Sequence, residues 1–298
     1  MRPRIHFWAI CFGLLLIAIA ASPASPASAE CDRDCLRGIT TQYLNAQLAH
    51  NPAALPLAAS VRFTEDTVEM KLGESPLWKK ATKLRPFRFD MLDVRQGVVA
   101  SQVIVEESGS PVMLMLRLKV LDQKITEVET QVTRSKAEGS IFDVDALQTP
   151  SKAMLLTPEA SERNSRADAI KVAEHYPAGL KVGSFVTVDA PFAADAYRFE
   201  NGRLMAGPGC TFMPGCVDIK GQKIPTLSEI KYRVAAVDED LGIVLLRMDF
   251  GKGSSRVAGD TLMVWEAFKV YGGQIHAVEA FMKNMPLGTP SGWNSPSN

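Results

Sequence analysis

The sequence predicts an α+β protein of two tandem units, each containing a helix and a curved antiparallel sheet. The first observation is an internal repeat, in which residues 112–130 align with residues 262–280 at a constant shift of 150. The second is that the same order of a helix, a strand, an irregular stretch and long strands is found in both halves. Six aligned positions are identical: Met113/Met263, Lys119/Lys269, Val120/Val270, Ile125/Ile275, Val128/Val278 and Glu129/Glu279.

Two further blocks extend the repeat toward the N-terminus. Residues 56–59 (PLAA) match residues 191–194 (PFAA) at a shift of 135. A shift that grows along the chain indicates duplication followed by loop insertions. Between these blocks, four positions match at a shift of 145: Arg88/Arg233, Asp93/Asp238, Gly97/Gly242 and Val99/Val244.

The first half begins with a stripe of residues at helical spacing, and Asn51-Pro52 ends the predicted helix. The stripe consists of Leu36, Ile39, Tyr43, Ala46 and His50. A short strand is expected at 61–63 and a loop at 73–78. Longer strands are expected at 88–94, 98–106, 112–121 and 124–133.

The second half repeats this layout after a stretch rich in Ser, Ala, Pro and Glu. Ser165 is expected to cap a new helix, with Asp168 completing a variant capping box. Its most unusual loop, 207–216, contains two cysteines. The sequence therefore predicts a first domain at 30–134, a linker at 135–165 and a second domain with a C-terminal tail at 166–298.

Residues 1–29 have the pattern of a secretory signal peptide. Arg2 and Arg4 precede an apolar run too short for a comfortable membrane span, and Ala27-Ser28-Ala29 is an A-x-A cleavage site. We therefore expect a mature chain that begins at Glu30 and is periplasmic or secreted. The alternative is an uncleaved anchor.

The balance of charges excludes several classes of partner. Loss of Arg2 and Arg4 leaves two more acidic than basic residues, which is not the pattern of a protein that binds nucleic acid or an anionic membrane. With 46% hydrophobic residues, each half can bury a core. We expect no nucleic-acid partner, no membrane association after signal cleavage, no metal and no cofactor.

Four cysteines remain after signal removal, and an even number in an exported protein indicates two disulfides. They are Cys31, Cys35, Cys210 and Cys216. Local pairing is favoured, because Cys210 and Cys216 flank a Pro-Gly turn and Cys31 and Cys35 are one helical turn apart. Cross-pairing between the halves stays open. A metal site is the rival and would need four thiolates in an oxidising compartment.

Two segments of the chain carry a resemblance to a known family. YLNAQLAHNPAALPLAASVRFTED, followed by a GxxxLW loop and a hairpin that ends in KITEVET, resembles the SnoaL-like group of the ketosteroid isomerase and nuclear transport factor 2-like superfamily. APFAADAYRFENG and FKVYGGQIHAVEA resemble a second copy. The resemblance covers nearly all of the mature chain. The chain as a whole is also similar to secreted tandem members of the group.

The resemblance implies two cone-shaped domains, in which each sheet wraps around helices and leaves an apolar pocket open at one end. Some members isomerise, dehydrate or cyclise small hydrophobic molecules, and others only bind ligands or dimerise. The isomerases place a carboxylate base and acidic hydrogen-bond donors in the pocket. That set of residues does not match this sequence position by position, so none is carried over.

Glu266 is the first candidate for chemistry. Alternation along the strand places it on a face with Val264 and Phe268, where the first half has Leu116. A buried carboxylate has a raised pKa and suits general acid–base chemistry. The alternative is a buried ion pair with Arg233 or Lys283.

Several other polar and aromatic residues could line a pocket. The same alternation groups Glu279 with Ile275, Ala277 and Phe281, and Glu279 would approach Glu266 if the two faces adjoin. Its retention as Glu129 in the first half favours a structural role instead. His175 and Tyr197 are candidate donors beside Glu266, whereas Tyr43, Trp78 and Trp265 are candidate pocket-lining residues, each with a core role as the alternative.

These observations leave three hypotheses for function. The first is an exported isomerase, lyase or dehydratase that moves a proton on a small hydrophobic or phenolic molecule, with Glu266 as acid or base. The second is a ligand-binding protein without chemistry. The third is a structural role in which the halves pair as an internal dimer, which predicts a monomer in solution. The sequence has no G-x-S-x-G, G-x-G-x-x-G or Walker motif, so the corresponding chemistries lack support.

Overall fold

The computed structural model describes residues 31–227, 229–291 and 293, and the predicted signal peptide lies outside them. The first half contains three short 3-10 segments and the following elements: α1 (Arg33–Leu48), β1 (Leu57–Glu65), β2 (Val68–Glu69), α2 (Pro76–Lys80), β3 (Ala81–Asp93), β4 (Val98–Glu107), β5 (Ser110–Leu121), β6 (Lys124–Thr133), α3 (Lys136–Gly139) and α4 (Lys152–Leu155).

The second half begins with a long helix and continues with six strands. Its elements are α5 (Arg166–Val182), β7 (Phe192–Glu200), β8 (Arg203–Ala206), β9 (Ile230–Asp238), β10 (Ile243–Phe250), β11 (Asp260–Tyr271) and β12 (Gln274–Pro286). Short helices α3 and α4 lie within the predicted linker. The division into domains at 30–134 and 166–298 stays a prediction.

Both sheets have six strands and the same topology, which agrees with the predicted α+β class. The strand orders are β2-β1-β6-β5-β4-β3 and β8-β7-β12-β11-β10-β9. The prediction of antiparallel sheets is wrong at one pair in each, because β1 is parallel to β6 and β7 is parallel to β12. The chain leaves β1 and re-enters the sheet at its far edge with β3, so that the meander ends with β6 running parallel to β1.

The long helices begin at side-chain caps. The side chain of Asp32 accepts from the backbone N–H of Cys35 at 2.9 Å, and Ser165 caps α5 as predicted, accepting from Asp168 N–H at 3.2 Å. The helix α1 ends at Leu48, two residues before the predicted His50. In α5, Pro177 lies inside the helix, which continues to Val182. The predicted loop at 73–78 is partly wrong, because α2 occupies its end.

Three apolar cores hold the fold together. The first lies between α1 and the first sheet, and the second between α5 and the second sheet. The third is shared by the two halves and includes Phe87, Phe89, Trp265 and Phe281. The sheets therefore pack against each other through the faces that do not carry the long helices. This confirms the face-to-face pairing of the halves; the monomeric state stays a prediction.

Two reciprocal ion pairs, which we call the clamps, connect the halves. In each clamp an aspartate of one half binds an arginine of the other half. Asp238, at the end of β9, binds the guanidinium of Arg33 at 2.7 and 2.9 Å and accepts from Leu92 N–H at 2.9 Å. Asp93, at the end of β3, binds Arg166 at 2.9 and 2.6 Å and accepts from Val237 N–H at 2.8 Å. Each half thus supplies a buried aspartate to the first residue of the other half's long helix.

The repeated glycines and lysines stabilise one turn in each half. Gly97 and Gly242 have positive φ angles, of 57° and 62°. A Cβ at either would lie 2.4 Å from a backbone oxygen, that of Val120 or Val270. The ammonium groups of Lys119 and Lys269 donate to backbone oxygens of the turns that contain these glycines. These identities in the repeat therefore serve folding.

The two disulfides are local, as predicted. Cys31 pairs with Cys35 and Cys210 pairs with Cys216, with Cα atoms 5.2 and 5.7 Å apart. Disulfides of this kind are typical of proteins that fold in an oxidising compartment. Among the helices of the described residues, none has the length and apolar character needed to cross a bilayer.

We predict that Asp238→Asn lowers the free energy of unfolding by about 3 kcal/mol, because it removes one partner of a buried ion pair. The measurement is equilibrium urea unfolding. Asp145→Asn is the matched control, since Asp145 binds Arg85 with a carboxylate that is 83% exposed, and it should change stability far less. Equal effects of the two variants would show that the clamp does not hold the halves together.

We also predict that Gly97→Ala and Gly242→Ala each destabilise the protein by about 2 kcal/mol more than Gly272→Ala. Gly272 has a similar φ of 55°, but a methyl group at this position would meet open space, so it isolates the effect of the close backbone approach. Urea unfolding of the three variants provides the test, and three equal losses would rule the steric explanation out.

Candidate functional site

Glu266 lies on β11 and points to the face of the second sheet that packs on α5. Val264 and Phe268, two residues to either side, belong to the core on that face. Glu266 is 3% exposed and lines a cavity of about 160 Å³. The remainder of the lining is mostly apolar and includes Leu180, Phe250 and Met282. The predicted placement of a carboxylate among core residues is therefore correct.

The ionic partners of Glu266 differ from those expected. The cavity also contains Arg198 and Glu200 of β7, and Nε of Arg198 lies 2.9 Å from a carboxylate oxygen of Glu200. The predicted partners are wrong, because Arg233 binds Glu129 and Lys283 binds Asp66.

Both of those expected partners face the first half of the chain. Arg233 and Lys283 point to the opposite side of the sheet, where they bind Glu129 at 2.5 Å and Asp66 at 2.7 Å. The Glu266 cavity thus holds one guanidinium and two carboxyl groups.

Tyr176 of α5 completes the polar group. Its hydroxyl accepts from Arg198 at 3.2 Å and hydrogen-bonds Glu266. Its ring packs against Phe185 and Phe268, with centroids 4.9 and 5.0 Å away. Burial raises the pKa of Tyr176 well above its usual value, so the hydroxyl stays protonated.

The electrostatics of the cavity favour a protonated Glu266. Burial raises its pKa to about 8, and the negative charge of Glu200 adds to the rise, whereas Arg198 and Tyr176 oppose it. Arg198 is itself buried, but its neighbours keep its pKa above the usual value. At neutral pH the cavity therefore presents a neutral carboxylic acid beside a guanidinium–carboxylate pair. Such an acid can donate a hydrogen bond or a proton to a bound oxygen, and its conjugate base can accept one.

The first half shows what this site replaces. The pairing of β1 with β6 matches that of β7 with β12, so Phe63 occupies the position of Arg198. Leu116 occupies the position of Glu266. An apolar pair in one half is thus a charged pair in the other. Since the first half folds with Phe63 and Leu116 buried at 1% and 0% exposure, this topology does not require the charges.

Glu279 does not approach Glu266, so the condition for two adjacent carboxyl groups is not met. Glu266 is paired with Ala280 across β11 and β12, which places Glu279 on the other face. A register irregularity beside Ile275 shifts the alternation, so Ile275 shares a face with Val278 rather than with Glu279. Burial raises the pKa of Glu279, which accepts from Tyr197 at 2.9 Å.

The other candidate residues are dispersed. Tyr197 binds Ser151 at 2.7 Å and Glu279, away from Glu266, and burial raises its pKa. His175 is half-buried, and its ring contacts the backbone oxygen of Lys171 at 2.9 Å. Neither lines the Glu266 cavity.

The candidate pocket-lining residues also lie elsewhere. Trp78 donates to the hydroxyl of Tyr43 at 3.0 Å in the core of the first half. Burial raises the pKa of Tyr43. Trp265 lies in the core between the sheets. These side chains fill cores, and their size rather than a ligand explains their burial.

Sequence reasoning missed Arg198 and Glu200. The signal was present, because the block match at 56–59 and 191–194 extends in register to Phe63 and Arg198. At these aligned strand positions the first half has a buried aromatic residue and the second half has a charged one. The difference is of the same kind as that between Leu116 and Glu266. Within the ranges that the structure describes, no group of side chains has the composition of a metal site.

A family model described as "Domain of unknown function (DUF8021)" matches residues 162–282. This range contains α5, most of the second sheet and the residues around Glu266. No curated protein is significantly similar in sequence to the chain.

Several solved structures are similar to part of the chain. A de novo designed protein with a curved β-sheet is 19% identical, with 34% of this chain and 88% of that chain covered and a TM-score of 0.29. An NTF2-like protein of unknown function from Shewanella baltica is 18% identical, with coverages of 40% and 93% and a TM-score of 0.28. Another, from Cytophaga hutchinsonii, is 13% identical, with coverages of 33% and 89% and a TM-score of 0.25.

We predict that Glu266 makes stability fall as pH rises from 4.5 to about 8. In this window the unfolded chain has released a proton that the folded protein still holds, so the free energy of unfolding decreases by roughly 1.4 kcal/mol per pH unit on account of this group. Below pH 4.5 both states hold the proton and the contribution is fully present.

Urea unfolding at several pH values checks this prediction. Glu266→Gln should flatten the slope between pH 4.5 and 8 relative to the native protein, and Glu74→Gln, at an exposed carboxylate, should leave it unchanged. An identical slope in the native protein and Glu266→Gln would contradict a protonated Glu266.

Proposed function

We propose that the second half is an exported small-molecule pocket that binds a single-ring hydrophobic or phenolic compound and moves a proton on it with Glu266. The observation that carries this proposal is the neutral carboxylic acid at the wall of an apolar cavity, beside Arg198, Glu200 and Tyr176. Export rests on the predicted signal peptide and fits the two disulfides.

The size of the cavity limits the ligand. A volume of about 160 Å³ is close to that of an engineered apolar cavity of about 150 Å³ that binds benzene. A ring would contact Leu180, Phe250 and Met282, and an oxygen substituent would reach the polar wall. Since apolar contacts supply most of the affinity and one polar wall supplies orientation, a ring with a single carbonyl or hydroxyl fits best.

The proposed chemistry divides the polar residues by role. Glu266 donates its proton to a carbonyl or enolate oxygen, or takes one from an acidic carbon when ionised. Arg198 stabilises negative charge that develops on the substrate. Its guanidinium is oriented by Gln222, to which Nη2 donates at 3.0 Å, and is charge-paired with Glu200 at 2.9 Å. Tyr176 orients both Arg198 and Glu266 from the helix side.

The second candidate is a binding protein without chemistry. This candidate is favoured because Arg198 pairs with both Glu200 and Tyr176. The proton of Glu266 is therefore available at neutral pH for a hydrogen bond to a ligand. In this case the neutral acid serves only to recognise an oxygen atom of the ligand.

We predict that single-ring ketones and phenols stabilise the native protein saturably in a thermal-shift screen. Glu266→Leu, which installs the residue of the first half, should remove the response, because it deletes the hydrogen-bond donor from the polar wall. Glu279→Gln is the matched control, at a buried glutamate on the opposite face of the sheet, and should respond like the native protein. A response that survives Glu266→Leu would place the ligand elsewhere.

Deuterium uptake from D₂O into a bound ring ketone, followed by NMR, separates the two candidates. Catalysis predicts uptake that Glu266→Gln lowers by about 100-fold or more, while Glu279→Gln retains it. Saturable binding without deuterium uptake would leave only the second candidate, a binding protein without chemistry. Uptake that is unchanged in Glu266→Gln would refute the catalytic assignment.

A further inference from the structure

The second sheet carries a row of two arginines and a tryptophan on the face that is turned to the first half. Arg247 of β10 is paired in register with Arg233 of β9 on one side and with Trp265 of β11 on the other. The guanidinium groups of Arg233 and Arg247 lie 5.4 and 5.6 Å from the indole centroid. This row lies on the other face of the sheet from the Glu266 cavity and is independent of it.

Two arginines side by side on neighbouring strands repel each other. Arg233 binds Glu129 at 2.5 Å, and Arg247 binds Asp249 at 2.8 Å. The pKa of Arg233 is nevertheless lowered, first by burial and then by the positive charges of Arg117 and Arg247, although Glu129 opposes this. Burial together with the neighbouring positive charges thus outweighs the stabilisation that Glu129 gives to the charged form of Arg233.

Arg247 has an unused hydrogen-bond donor. Its side chain is 1% exposed, and its Nη1 donates to Met248 O and to Asp249, both at 2.8 Å. Its Nη2 has no hydrogen-bond partner among the residues described. A buried guanidinium N–H without an acceptor is costly, and an anion would satisfy it.

Two cavities adjoin this row. Arg247 lines one of about 170 Å³, whose wall also contains Arg233, Lys231, Trp293 and the carboxylate of Asp249. Arg233 and Trp293 also line a neighbouring cavity of about 650 Å³, to which Arg117 and other basic side chains contribute. The indole of Trp293 donates to Thr64 Oγ1 at 2.9 Å, which holds the ring between the cavities. Arg247 thus forms part of the wall of the smaller cavity, and Arg233 forms part of the walls of both.

The first half again supplies an internal comparison. At a shift of 145, the position of Arg247 is Gln102, whose side-chain amide contacts Glu279 O at 3.5 Å. At a shift of 150, Met115 occupies the position of Trp265. A neutral residue thus meets the needs of packing at this place, and the charge in the second half requires another explanation.

We propose that Arg233 and Arg247 form a binding site for an oxyanion, a carboxylate or a phosphate, in the cavity beside Trp293. The guanidinium groups offer N–H donors in the fork geometry that suits both anions. The indole of Trp293 provides a flat apolar wall for the body of an organic anion.

The test uses the full-length protein with inorganic phosphate and with benzoate as probes, at constant ionic strength maintained with NaCl. Each probe is titrated while thermal stability and tryptophan fluorescence are recorded. Saturable stabilisation of the native protein is expected. A response to benzoate alone identifies a carboxylate, and a response to phosphate alone identifies a tetrahedral anion. No saturable response to either probe overturns the proposal.

Variants at Arg247 locate the site. Arg247→Gln, which installs the residue of the first half, should weaken binding at least tenfold without lowering stability in anion-free buffer. Arg247→Lys keeps the charge without the fork, should fold, and should bind less tightly than the native protein. Arg85→Gln, at an arginine remote from both cavities, is the matched control and should bind normally. Equal affinity of Arg247→Gln, Arg247→Lys and the native protein would refute the site.

Discussion

The rest of the structure depends on the two clamps, the ion pairs of Asp93 with Arg166 and of Asp238 with Arg33. Each aspartate binds the guanidinium that begins the other half's long helix, and each also accepts from a backbone N–H of the other half. The position of a helix over its own sheet is thereby coupled to the docking of the two sheets. The apolar core lies between the sheets that these ion pairs connect, and the cavity lies between α5 and the second sheet.

Duplication separates residues that serve the fold from residues that serve a site. The retained aspartates, lysines and glycines close the clamps and turns. The exchanged residues cluster in two places on opposite faces of the second sheet. One place has Arg198 and Glu266 instead of Phe63 and Leu116. The other has Arg247 and Trp265 instead of Gln102 and Met115. Both exchanges put charge where the other copy shows that packing alone would suffice.

Most of the fold could be predicted from the sequence, because its main signals are local or repeated. The stripe of α1, the cap of α5, the hairpin turns and the local disulfides all follow from short segments of sequence. The parallel pairing of β1 with β6 could not be predicted, because it depends on which edge of the sheet the chain enters after α2. The irregularity beside Ile275 places that residue on the other face from Ala277, Glu279 and Phe281, with which strict alternation grouped it, since one irregular residue inverts the alternation beyond it.

The candidate site was predictable only in part. The alternation along β11 identified Glu266, because a glutamate in an apolar row stands out. Its partners Arg198 and Glu200 lie on β7, a strand whose neighbour is set by the parallel pairing that the sequence does not show. His175 and Tyr197 are each next in sequence to a residue of the cavity, Tyr176 and Arg198. The two candidate donors therefore lie one residue from side chains that line the cavity and do not line it themselves.

The clamp between Arg33 and Asp238 also has a consequence for folding kinetics. The two residues are 205 positions apart, so the first helix cannot reach its carboxylate until most of the chain is present. Contacts between distant residues form late, because the entropy of closing a long loop opposes them. A chain that is still being synthesised thus lacks the ion pair that holds the first residue of α1 to the second half. The contact between Arg33 and Asp238 can therefore form only after the chain has been made as far as Asp238.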